Sequence, residues 1–160
     1  MSFTMEVSGM DELVIRLTKM EEKGRDVAAQ ALYEGAAVVA DSISAAVRGI
    51  ATEEFRYTKH GTRLPSPEEK AVLLKAKRGV AKFKKSKTRV DTSVGMQNAG
   101  YGTINGKTVP VPLIANAINS GTSFMKPQPF FRAAVETSAG AAAGAIEGGI
   151  ESRLDMLSLD

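Results

Sequence analysis

Ile118-Asn119-Ser120-Gly121-Thr122-Ser123-Phe124-Met125-Lys126-Pro127-Gln128-Pro129-Phe130-Phe131-Arg132-Ala133-Ala134 is a joint between two secondary structures. Upstream of it, Leu113 to Asn119 reads as a strand candidate. Gly121 allows a tight exit from that strand, and the Thr122 hydroxyl can bond back to the loop backbone. Pro127 and Pro129 stiffen the loop and lower the entropy lost when it is ordered. Pro129 can then open a helix without wasting a donor, because the first N–H groups of a helix have no acceptor within it. Phe130 and Phe131 gain about 1.5–3 kcal/mol each if buried, so at least one of them is expected to pin the helix to the sheet.

Downstream, Phe130 to Leu157 predicts a helix rich in small residues. Gly140, Gly144 and Gly148 stand four apart, with Ala133, Ala141 and Ala145 close by. The expectation is a soluble helix lying very close to another Ala-rich helix. Such a partner lies at the other end of the chain. Phe3 to Ser8 alternates as a short strand, Gly9 ends it, and Asp11 can cap a helix beginning there. Leu13, Leu17, Met20, Val27, Ala31, Val38, Ile43, Ala46 and Ile50 then recur at helical spacing. The spacing predicts one amphipathic helix over 11–48, or two joined near Gly24. Unbroken, it would be about 55 Å long, so part of it is expected to pack on another subunit.

Between these blocks, Thr88 to Met96 reads as a strand. Tyr101 to Val111 contains Asn105-Gly106, a pair suited to a tight hairpin because both residues tolerate positive φ. Pro110 and Pro112 keep that strand short or at an edge. Residues 51–87 form a basic loop–helix insertion: Ser66 caps, Pro67 takes the first helical position, Glu68 and Glu69 come next, and the helix is expected to end near Arg78. Lys82 to Lys87 reads as coil or a solvated edge. The chain is thus expected to be α+β and a single domain over 1–160. Its long N-terminal helix and its small-residue-rich C-terminal helix pack on a small, mainly antiparallel sheet.

Composition narrows the chemistry. The 160 residues contain no cysteine and one histidine, which excludes disulfides, thiol catalysis and cysteine-ligated metal sites. No run approaches the roughly 18–20 apolar residues of a membrane span, and no signal pattern opens the chain, so folding in a cytoplasm is expected. The net charge of +3 conceals an asymmetry: residues 56–89 carry 12 Lys/Arg against 2 Asp/Glu. Lys70, Lys75, Lys77, Arg78, Lys82, Lys84, Lys85, Lys87 and Arg89 succeed one another without a carboxylate. These nine are the candidate contacts for DNA phosphates or an acidic protein neighbour, the bland alternative being a solvated arm. With only Phe83 interleaved, sequence-specific readout is not expected, while nonspecific backbone attraction stays open.

No catalytic constellation emerges. Gly106-Lys107-Thr108 resembles the end of a phosphate loop, but Tyr101 replaces the earlier glycine and Val109-Pro110 comes next instead of a helix. The acid pairs Glu21-Glu22, Glu53-Glu54 and Glu68-Glu69 diverge by about 100° on a helix and are expected to be solvated. His60 sits among bases with no orienting carboxylate beside it in sequence. The chain is read as a non-enzyme with no catalytic residue, metal or cofactor.

The 118–134 segment resembles the signature of the neck and tail-completion (head–tail joining) proteins of long-tailed bacteriophages and prophages. In that family a strand ends in Glu-aromatic-Gly-Thr, a short loop intervenes, and a Pro-Phe pair opens the last helix. Gly121, Thr122, Pro129, Phe130 and Phe131 carry the match. The opening, Val7-Ser8-Gly9-Met10-Asp11-Glu12-Leu13 leading into a long Ala-rich helix, resembles the family too. Asn119-Ser120 stands where the acid–aromatic pair would be, and the basic 51–87 region replaces the family's short Pro–Gly connection. The resemblance implies a virion structural protein, made in the host bacterial cytoplasm, that forms a homo-oligomeric ring, usually a hexamer, at the neck or collar. Its partners would be further copies of itself, neighbouring connector, tail-terminator or tail-tube proteins, and nonspecifically the DNA passing through the lumen, with no membrane. The alternative from another class is a small nonspecific nucleic-acid-binding module using 56–89.

Overall fold

The computed structural model describes residues 2–4, 22–54, 62–76, 79–80, 84–85, 90–95 and 100–157. In chain order the elements are β1 (Ser2–Thr4), α1 (Glu22–Arg48), α2 (Pro67–Lys75), β2 (Gly79–Val80), β3 (Lys84–Lys85), β4 (Val90–Asp91), β5 (Ser93–Gly95), β6 (Tyr101–Ile104), β7 (Lys107–Pro110), α3 (Val111–Ser120) and α4 (Phe130–Leu157). The class is α+β, with long helices near both ends and small sheets between them. Strands order as β1-β5-β2, β3-β4 and β6-β7, and the last two pairs are antiparallel. By Cα proximity the chain divides into two compact units. One comprises Met1–Ser2, Asp41–Gly79 and Gly95–Thr137; the other comprises Phe3–Ala40, Val80–Val94 and Ser138–Asp160.

In the second unit the two long helices meet closely. Ala31 of α1 clusters with Ile146 and Ile150 of α4, flanked by Ala28, Leu32 and Leu154. Gly35 makes the approach possible: a Cβ there would overlap the Ile146 side chain and stand 3.1 Å from the Ala142 carbonyl oxygen. Arg153 reinforces the seam, donating to Glu34 at 2.5 Å and to Gln30 at 2.9 Å. In the first unit the Ser42 hydroxyl donates to the Ala134 carbonyl at 3.0 Å.

Gly140, Gly144 and Gly148, expected at the helix–helix contact, do not make it. A Cβ added at any of the three meets nothing within 4 Å. The buried row of α4 is Ala134, Ser138, Ala142, Ile146 and Ile150. The glycines are offset from that row by two residues, about 200° around the helix, so they face away from it.

Other expectations are corrected in the same way. Leu113 to Asn119 is not a strand but lies in α3. Val111, Ile114, Ala115 and Ile118 are its buried residues, at the i, i+3, i+4, i+7 spacing of one helical face. Pro112 does not oppose this, because it occupies the first turn, where its missing N–H is not needed. Gly121 therefore ends a helix rather than a strand. Thr88 to Met96 is not one strand among the described residues: β4 and β5 lie in different sheets, broken at Thr92. The insertion helix stops at Lys75, three residues before the expected end, with Ala76 extended at its C-cap. Asn105 and Gly106 do form the hairpin turn, at φ 49° and 75°, with Ile104 opposite Lys107 and Tyr101 opposite Pro110. Residues 5–21, which hold the expected start of the first helix, lie outside the described residues.

Candidate functional site

The site grows from the start of α2. Ser66 accepts from the Glu69 N–H at 3.2 Å, while a Glu69 carboxylate oxygen accepts from the Ser66 N–H at 2.7 Å, closing a capping box. The same carboxylate receives the Arg63 guanidinium at 2.8 and 2.9 Å. Burial pushes the Glu69 carboxyl up, but the hydrogen bonds and charge of Arg63 together with the Ser66 N–H outweigh it and hold it below the usual carboxylate range. The Glu69 hydrogen bond holds Arg63 more firmly protonated. Glu69 is thus not the solvated member of an acid pair that the sequence suggested. Glu53 is engaged as well, its carboxylate accepting from the Leu64 N–H at 2.8 Å.

Arg63 carries this segment onto the joint. Its N–H donates to the Phe124 carbonyl at 2.7 Å, and its own carbonyl accepts from Lys126 at 2.9 Å, a parallel bridge centred on Met125. Gln128 makes a second tie, its side chain donating to the Ala51 carbonyl at 2.9 Å and accepting from the Ala51 N–H at 3.0 Å.

The joint holds itself in shape. Gly121 has φ 76° and ψ 172°, a region essentially reserved for glycine. The Thr122 hydroxyl accepts from the N–H groups of Phe124 and Met125 at 3.2 and 3.0 Å, as expected of a residue that bonds back to its loop. Asn119 accepts from the Phe131 N–H at 3.1 Å and satisfies a donor in the first turn of α4. Pro129 immediately precedes the helix and accepts from Ala133 at 3.1 Å. Phe130 and Phe131 are both buried and meet edge to face, centroids 6.5 Å apart at 78°.

Together these segments enclose a groove of about 650 Å³ within the first unit. Arg63 and Glu69 lie on it, the hairpin contributes Ile104 and Val109, α3 contributes Leu113, Ile114 and Ala117, and the joint contributes Phe124 and Met125. The charged pair satisfies itself, so the walls present mainly apolar surface. Two large side chains remain in solvent at the groove, Leu113 at 60% and Phe124 at 56% exposure. The groove is thus mainly apolar and flanked by exposed aliphatic and aromatic side chains.

Of the nine candidate cations, four lie among the described residues, and they belong to different elements. Lys70 works inside the fold: its ammonium donates to the carbonyls of Arg48 and Ile50 at 2.7 and 2.8 Å, capping the C-terminus of α1. Lys75 is exposed in the last turn of α2. Lys84 and Lys85 form β3, opposite Asp91 and Val90. Lys77, Arg78, Lys82, Lys87, Arg89 and also His60 lie outside the described residues. Gly106-Lys107-Thr108 is the turn and opening of a hairpin strand, not a phosphate loop. Among the described residues no helix is long and apolar enough to cross a membrane.

Sequence reasoning missed Arg63, Glu69, Leu113 and Phe124. The signal for Glu69 was present, since Ser66-Pro67-Glu68-Glu69 has capping-box spacing. Nothing local announces the partnership with Arg63. No family model, no curated protein and no solved structure matches this chain.

Proposed function

We propose that this chain is a structural subunit of a long-tailed phage or prophage, assembling into a ring at the head–tail junction or the top of the tail. Its action is assembly rather than catalysis: apolar surface is buried between copies, and the closed ring completes the tail while leaving a path for DNA. The observation that carries this reading is the groove itself. The joint that resembles the neck and tail-completion signature is the same joint that holds Phe124 and Met125 against α3, beside exposed Leu113. The buried Arg63–Glu69 charge is neutralised there by its own partner, so a docking segment meets no unpaired buried ion.

Native mass spectrometry of the purified chain tests the proposal. A discrete oligomer is expected, and Leu113→Asp with Phe124→Asp should convert it to monomers that keep the wild-type far-UV CD spectrum, because both side chains are exposed in the single chain. A wild-type chain that stays monomeric at tens of micromolar would remove the ring reading. Submicromolar, sequence-selective binding of duplex DNA at physiological salt would replace it with the nucleic-acid module.

A further inference from the structure

We draw no further inference here: the strongest candidate, the apolar groove between the β6–β7 hairpin, α3 and the 122–125 joint, belongs to the site already described, and nothing in the structure shows what covers it.

Discussion

Arg63 and Glu69 grip each other through two hydrogen bonds while their side chains are only 12% and 10% exposed. The same carboxylate closes the capping box with Ser66. One side chain therefore starts a helix, neutralises a buried cation and helps seat the 62–66 segment against the joint. Replacing Arg63 by Met leaves a buried carboxylate without its partner, and chemical denaturation at neutral pH should show a loss of about 3–5 kcal/mol. A loss below about 1 kcal/mol would mean the carboxylate rehydrates freely.

The pair also sets a pH dependence with a definite sign. Glu69 is held below its ordinary range in the folded chain, so its contribution is fully present above the unfolded value of about 4.3 and fades as pH falls through the lower folded value. Glu69→Gln should be less stable than wild type at pH 7, and the gap should narrow steadily on acidification below about pH 4. A gap that is constant with pH would show that the charge is not what matters.

Glycines in the last third of the chain should respond to alanine with opposite signs. At Gly121 a Cβ would stand 2.9 Å from Pro127 Cδ and 3.0 Å from the Met125 carbonyl oxygen, at a φ of 76°. Gly121→Ala should cost about 1–3 kcal/mol from backbone strain alone. Gly144→Ala, in the open on α4, should stabilise the chain by about 0.5–1 kcal/mol. Thermal melts of the two variants check both signs.

Asn119 supplies an acceptor to α4 through the Phe131 N–H. Asn119→Ala should cost about 0.5–2 kcal/mol, as for a lost helix cap. Asn119→Asp should match or exceed wild type at pH 7, because a carboxylate at a helix N-terminus is favoured by the dipole. Equal stability of Ala and Asp variants would refute the capping role.

Phe130 and Phe131 together fasten the start of α4, being buried and edge to face. Changing both to Ala should destabilise the chain by several kcal/mol. An unchanged Tm would make this segment a docking arm instead. On the ring reading proposed above, neutralising Lys82, Lys84, Lys85 and Lys87 together should abolish joining of tails to heads, or tail stability, while leaving the monomer's fold intact. Free duplex DNA should bind wild type weakly, without sequence preference and less at higher salt. Normal joining by the quadruple variant would return that segment to a solvated role.

Local chemistry was legible from the residues alone. Asn105-Gly106 specified the hairpin because few residues accept positive φ in succession. Ser66-Pro67 specified a helix start, Pro129 marked the start of α4, and the apolar spacing read over 11–48 specified a helix whose described part is α1. Each of these features depends on residues within about four positions of one another, so its free energy is written in the local order of side chains. The choice of helix over strand for 111–120 was not so written, since a ten-residue apolar run satisfies either until a neighbour covers one face. Packing decided it by burying Val111, Ile114, Ala115 and Ile118 together. The tertiary structure likewise chose which row of α4 would be inside, rejecting the glycines that spacing had favoured because a row of Ala and Ile buries more apolar surface. Only in three dimensions do Arg63, Leu113 and Phe124, distant in sequence, come to share one groove.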